Sequence, residues 1–369
     1  MQMKVLIFYG SLSEFNKYVP AGNIVSVVDL AIKDDDERRK FKVKVPGQEE
    51  EEQEPVYYEH VVGYADDFPS LTESTIESFV GFIFRFDIDN LYLQNPPDSI
   101  ARHISELTTV DCEIKRQEYK ALDLRKLKRI KKDFPNTILG QEHAERQIIG
   151  TLYDVAKKRY NKPCVMLFYG STGVGKTETA KYIADVLKEK LFRKQFSMLH
   201  SEEFTSYLFG GKHNQNSFAK ELLERESNVI LLDEFDKPHP VFHSAFYQLF
   251  DEGVFSDKNY TLKMDNAIII CTSNFQSEAQ IREQLGDPIF SRFDAVVQFN
   301  DLSLDSVKEL IRREYRKQYS ALEKREKAII DEFDLLTKLI SIADKLRNAR
   351  QIKRVVREAI SGRLINQLL

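Results

Sequence analysis

Three short segments of this 369-residue chain carry residue types and spacings suited to chemistry. The first is GSTGVGKT, Gly170 to Thr177, a complete G-x-x-x-x-G-K-[ST] pattern that follows an apolar, strand-like run and precedes the helical stretch TETAKYIADVLKEK. Glycines at this spacing let the loop curl, so that backbone N–H groups of Gly170, Ser171, Thr172, Gly173, Val174 and Gly175 turn inward. The N-terminus of the following helix adds partial positive charge. The ligand that fits is the β-phosphate of a nucleotide. Lys176 would reach the β- and γ-phosphates, and Thr177 would offer a hydroxyl to Mg²⁺, a hard cation that relies on phosphate oxygens for most of its shell. The expected cofactors are ATP and Mg²⁺. The second segment, NVILLDEFDK, runs apolar from Val229 to Leu232 and ends in two carboxylates. Asp233 would hold the magnesium shell, and Glu234 would polarise the attacking water. The third, AIIICTSN, ends in Asn274, placed to hydrogen-bond that water or the γ-phosphate from a neighbouring strand.

These residues need a scaffold that brings strand ends to one edge. From Phe134 onward, strand-like and helix-like stretches alternate: CVMLFYG, a helix, FSMLH, a helix, NVILLDE, a helix, AIIICTSN, a helix, AVVQF. That order predicts a parallel, doubly wound α/β sheet over 134–301. From about Leu302 to Leu369 the apolar residues recur at helical spacing, which predicts a separate small helical domain over 302–369. Residues 1–120 read as a small mixed α+β domain, with strands expected in KVLIFYG, NIVSVVDLAI, KFKVKV and VYYEHVVGY. PGQEEEEQEP is read as a solvated hairpin loop, because its like charges repel and nothing in it can be buried. NPPDSIARHISEL predicts a helix capped by Asp98 or Ser99. Residues 121–133 form a basic helical linker whose Arg125–Lys132 run is read as a solvated face, since it lacks interleaved aromatics that would stack on bases.

Composition bounds the rest. With 42% hydrophobic and 30% charged residues and a formal net charge of -4, the chain reads as ordinary globular protein with no overall attraction to nucleic acid or anionic lipid. Cys112, Cys164 and Cys271 form no C-x-x-C pair and are expected to be buried thiols in a reducing compartment. MQMKVLIFYG is too short and weakly charged for a secretory signal, and no apolar run approaches a membrane span, so a cytoplasmic location is expected. His239 and His243 are four apart, but Pro240 intervenes and no third ligand is near in sequence, which argues against a metal site there. No G-x-S-x-G or Cys-His hydrolase signature occurs.

The run VILLDEFDKPHPVFHSAFYQLFDEGVFSD, followed by AIIICTSN and IFSRFDAVVQF, resembles the ATPase module of the Clp/heat-shock AAA+ protein-remodelling family. The likeness extends from ILGQEHAERQI to NARQIKRVV. It implies a P-loop AAA+ fold and ATP hydrolysis. Carried over by position, it implies that Ile138 and Leu139 belong to the adenine pocket, that Asn274 is the first sensor, and that Arg292 in SRFD is the arginine finger. Arg350 in NAR resembles the second sensor, although the family's usual Gly-Ala-Arg is here Asn348-Ala349-Arg350. An Arg remote from its own phosphate loop can neutralise transition-state charge only on a neighbour, which implies a homo-oligomer, expected as a ring, about hexameric, or else another head-to-tail assembly.

Two features differ from the family pattern. The segment SYLFGGKHNQNSFAKELL, where threading members carry an aromatic-glycine pore loop, is shortened. The stretch between Asn274 and Arg292 is too short for a peptidase-docking loop, so none is expected. The expected function is Mg-ATP-driven remodelling or unfolding of a protein partner, recruited by the N-terminal domain. The alternatives are a nucleotide-controlled switch or scaffold that does not thread and, disfavoured by net charge, a nucleic-acid motor or loader.

Overall fold

A computed structural model describes residues 2–39, 55–159, 161–198, 201–331 and 334–368. Twelve strands occur among them: β1 (Met3–Tyr9), β2 (Val25–Ser26), β3 (Tyr57–Gly63), β4 (Asp87–Gln94), β5 (Val110–Arg116), β6 (Cys164–Tyr169), β7 (Phe192–Gln195), β8 (Val229–Asp233), β9 (Val254–Ser256), β10 (Thr261–Lys263), β11 (Ile268–Thr272) and β12 (Ala295–Gln298). The chain divides into two compact units. One comprises Met1–Tyr119, Leu199–Glu226 and Gly253–Met264; the other comprises Lys120–Met198, Ser227–Glu252 and Asp265–Leu369.

The first unit contains both helices and strands, and its five-stranded sheet, ordered β2-β3-β4-β1-β5, is parallel throughout. Val5, Ile7, Val61, Leu91 and Leu93 are buried from the sheet against Phe68, Phe79, Phe82, Ile100 and Ile104 of the crossover segments. Two sequence expectations are corrected here. NIVSVVDLAI is not a strand: only Val25–Ser26 pairs, and a helix runs from Val27 to Arg39. Ser26 and Asp29 form a reciprocal cap, with the Asp29 amide donating to Ser26 Oγ (3.0 Å) and Ser26 Oγ donating to Asp29 Oδ2 (2.9 Å). That S-x-x-D box starts the helix and overrides the β-branched pair that suggested a strand. The helix expected in NPPDSIARHISEL starts at Asp98, with Pro97 at the cap position, so neither Asp98 nor Ser99 caps it. The expected strand KFKVKV lies outside the described residues, as does PGQEEEEQEP apart from Pro55.

The segments Leu199–Glu226 and Gly253–Met264 belong to this unit. Phe218 meets Phe255 edge-on at 5.1 Å, His213 Nε2 lies 2.9 Å from Leu71 O, and the Lys220 ammonium donates to Asp66 at 2.8 Å. The Asp98 amide donates to Asn259 O at 2.9 Å, in the β9–β10 hairpin region.

The second unit is built on the parallel sheet β12-β6-β11-β8-β7. Every residue of β6, β8 and β11 is buried, which explains why these strands read as continuous apolar runs without alternation. The helix Leu124–Thr137 is part of this core: Leu127, Ile130 and Phe134 are buried with Ile183 and Phe168, leaving its Lys and Arg side chains outward. The strand expected at FSMLH is instead β7, four residues earlier; Phe196–Met198 is a 3₁₀ turn. Phe196 is pulled into an aromatic cluster with Phe235 and Phe246 at 6.0 and 5.7 Å, which ends the strand at Gln195. Helices Leu304–Ser320, Lys324–Asp331, Leu335–Ser341 and Ala349–Leu368 then close around Val307, Ile311, Leu339, Ile352 and Val356.

Candidate active site

The ends of β6, β8 and β11 meet at a cavity of about 350 Å³ whose lining includes Thr172, Gly173, Gly175, Lys176, Thr177, Arg193, Gln195, Asp233, Glu234, Thr272, Asn274 and Arg350. Three contacts to main-chain atoms hold the pieces that form the cavity. The loop leaves β6 at Gly170, whose φ of +128° and 2.2 Å clearance between an added Cβ and Phe299 O exclude any side chain. Gln141, in the Gly-Gln of the ILGQ segment, is buried and staples the same region: its amide donates to Val174 O (3.2 Å) and Asn300 O (2.8 Å), and its carbonyl accepts from the Asn300 amide (3.0 Å). Ala349 N donates to Gly173 O at 3.0 Å, which fixes Arg350, on the last helix, beside the loop. The loop then enters the helix Lys176–Leu187.

Lys176 is 7% exposed, and its ammonium donates to Gly170 O (2.6 Å), Ser171 O (2.8 Å) and Asn274 Oδ1 (3.3 Å). Burial lowers its pKa to about 8, with Arg350 acting in the same direction and Asp233 and Asp236 against it. These bonds to loop carbonyls hold the cation at the place where phosphate oxygens would replace them.

Asp233, 6% exposed, ends β8 with both oxygens bonded. Oδ1 accepts a short hydrogen bond from Thr272 Oγ1, and Oδ2 accepts from the Arg193 guanidinium at 2.5 Å (Nη2) and 3.1 Å (Nε). The Glu234 amide donates to the same Thr272 hydroxyl at 3.0 Å, so one β11 residue ties both acids together. Glu234 has φ of +57°, in the left-handed region that a side chain enters at a cost, and this turn points its carboxylate into the cavity. Gln195 Nε2 donates to Glu234 Oε2 at 3.2 Å.

Of the residues singled out in the sequence, Thr172, Gly173, Gly175, Lys176, Thr177, Asp233, Glu234, Asn274 and Arg350 line this cavity. Gly170, Ser171 and Val174 contribute loop backbone without lining it. Ile138 is buried against the loop, 3.3 Å from where a Cβ on Gly175 would stand, and neither it nor Leu139 reaches the cavity lining. Arg292 is also absent from the lining. Its Nε donates to Asp251 (2.8 Å), its Nη1 to Pro288 O (2.5 Å), and its guanidinium stacks on Tyr247 at 4.2 Å. Sequence reading missed Arg193, Gln195 and Thr272. The first two fell outside the strand because β7 was expected at FSMLH; placed on a strand, R-x-Q shares one face, which is the available signal.

The donor set suits a magnesium nucleotide. A hydroxyl and a carboxylate, Thr177 and Asp233, are hard oxygen ligands of the kind Mg²⁺ takes, and Lys176, Lys181, Arg193 and Arg350 supply the positive charge a polyphosphate needs.

Comparison with known proteins agrees with this geometry. Residues 161–333 match the family model described as AAA domain (Cdc48 subfamily). The chain is 26% identical to the ATP-dependent Clp protease ATP-binding subunit ClpE of Bacillus subtilis over 57% of this chain and 35% of that protein. It is 29% identical to chaperone protein ClpB of Pseudomonas putida, over 55% of this chain and 27% of the relative. It is 26% identical to probable chaperone protein ClpB 1 of Chlorobaculum tepidum, over 66% of this chain and 65% of the relative. The chain therefore spans less than two thirds of the length of each of these relatives. In fold it is similar to the closed-state cryo-EM reconstruction of Hsp104 with ATPγS and FITC-casein, with TM-score 0.56 and 18% identity over 83% of this chain and 61% of that one.

Proposed function

We propose that the chain, whose residues 161–333 match an AAA domain model and which is similar to Clp-type AAA+ proteins, hydrolyses Mg-ATP and couples hydrolysis to remodelling of a protein partner within a homo-oligomeric ring. The observation that carries the catalytic part is the convergence of Lys176, Asp233, Glu234, Asn274 and Arg350 on one cavity. Lys176 and Arg350 would hold the β- and γ-phosphates. Glu234, turned inward by its backbone, would take up the proton of the attacking water, while Asn274 orients that water. Thr177 and Asp233 would hold magnesium, which when bound neutralises charge on the β- and γ-phosphate oxygens. Arg292, bonded to Asp251 and remote from its own cavity lining, would complete the site of an adjacent subunit.

The partner-remodelling part rests on the relatives' names and on the family likeness. Lys176→Ala should abolish tight ATP binding, whereas Glu234→Gln should keep binding and lose turnover, measured with a fluorescent ATP analogue and a phosphate-release assay. Affinity capture with Glu234→Gln in ATP should then retain the partner. Turnover by Glu234→Gln at the parent rate would remove Glu234 from its assigned role.

A second reading, a nucleotide-controlled switch that does not thread polypeptide, is favoured by one observation. The segment corresponding to a pore loop is tied into the first compact unit through His213 to Leu71 and Lys220 to Asp66. ATP-dependent unfolding of a captured partner supports remodelling; ATP-dependent assembly with a partner that stays folded supports the switch.

A further inference from the structure

The carboxylate assigned to magnesium is held on one oxygen by a side chain of its own chain. Arg193 and Gln195 project from the same face of β7, the edge strand, which pairs with β8 in the register Arg193 to Leu231 and Gln195 to Asp233. From there Arg193 directs two donors, Nε and Nη2, at a single oxygen, Asp233 Oδ2, while Thr272 holds Oδ1. The Asp233 side chain is 9% exposed and that of Arg193 is 40% exposed, so a partly exposed side chain caps a buried carboxylate.

We infer that Arg193 is a resident counter-ion that a metal must displace: it occupies Asp233 Oδ2 when no nucleotide is bound and gives way when Mg-ATP enters. This rests on the reading of Asp233 as a magnesium ligand. A buried carboxylate stripped of its partner is costly, so the fold needs a cation there at all times. Arg suits the resident role because it stays charged at any working pH and its planar fork matches a carboxylate. A bare divalent cation would have to break this charge-assisted pair with nothing in return from phosphate oxygens. A magnesium–nucleotide complex brings both the replacement cation and an anion, and the released guanidinium already lines the same cavity as Lys176 and Thr177. The site is thereby closed to metal alone and open to the complex, so that metal and nucleotide arrive as one ligand.

The test uses the full chain with Arg193→Gln, Arg193→Lys and Asp233→Asn, reading binding of a fluorescent ATP analogue against Mg²⁺ concentration, and thermal unfolding with Mg²⁺ alone. For Arg193→Gln the Mg²⁺ midpoint should fall about tenfold, the worth of one charge-assisted hydrogen bond. Its nucleotide-free Tm should drop in EDTA and recover with Mg²⁺, which leaves the parent Tm unmoved. Arg193→Lys, which keeps the charge and loses the fork, should lie between and covers the case in which the Gln variant does not fold. An unchanged or raised Mg²⁺ midpoint overturns the displacement. So does loss of metal-free nucleotide binding with the midpoint intact, which would make Arg193 a phosphate ligand. Asp233→Asn should abolish the Mg²⁺ dependence; if it keeps the parent midpoint, the ligand assignment itself is wrong and the inference falls with it.

Discussion

The hydroxyl of Thr272 does more than its small size suggests, because it donates to Asp233 and accepts from the Glu234 amide, locking the two acids into one unit at the cavity. Replacing it with Val, nearly the same shape, removes both bonds and leaves a buried carboxylate oxygen short of a donor, at a cost of roughly 1–3 kcal/mol. Chemical denaturation of Thr272→Val should read that loss, and ATP turnover should fall with it. A stability equal to the parent would mean the hydroxyl is dispensable. The three thiols offer a second reading of the interior at this scale. Burial raises the pKa of all three, well above the ordinary range for Cys271 and strongly for Cys164, while Cys112 is only partly covered. Because only thiolates alkylate, iodoacetamide at mildly alkaline pH should label Cys112 slowly in the native protein and reach Cys164 and Cys271 only on unfolding, as followed by intact mass. Raising the pH within the native range should speed Cys112 alone. Equal rates at all three sites would contradict the packing of β6 and β11.

At the scale of elements, the helix Leu124–Thr137 shows what a sequence can and cannot reveal. Its charge run suggested a solvated linker, yet every third or fourth residue, Leu127, Ile130 and Phe134, is buried in the core of the second unit. Phe134 also meets Tyr182 edge-on at 6.1 Å. Phe134→Ala should therefore cost about 3–5 kcal/mol by denaturant titration, a core-sized loss that a mere linker would not produce. The strands β6, β8 and β11 were legible because complete burial writes itself as an unbroken apolar run, and the phosphate loop was legible because its glycines have no substitute. The edge strand β7 was not: its half-exposed Arg-Lys-Gln carries no apolar signature, and the adjacent Phe196 drew the expected strand four residues downstream. Arg193 and Gln195 stayed hidden with it. Residues 27–39 misled in the opposite sense, since the Ser26–Asp29 cap is a pair contact that β-branched composition masks.

For the whole molecule, the proposed ring rests on Arg292, whose guanidinium is held by Asp251 and Tyr247 and is absent from the lining of the cavity that holds Lys176 and Asp233. Arg292→Ala should still bind ATP but hydrolyse it up to about a thousandfold more slowly. Specific activity of the parent should rise with protein concentration until assembly saturates. Mixed Arg292→Ala and Lys176→Ala subunits should regain part of the lost activity, since each retains what the other lacks. No recovery despite co-assembly would leave Arg292 a structural residue. Connectivity adds a consequence of another kind. The two compact units exchange the backbone at 119/120, 198/199, 226/227, 252/253 and 264/265, five passages in all. Two internal stretches, Leu199–Glu226 and Gly253–Met264, belong to the same compact unit as the first 119 residues, so any exchange of those residues for a relative's would have to carry both stretches along with them.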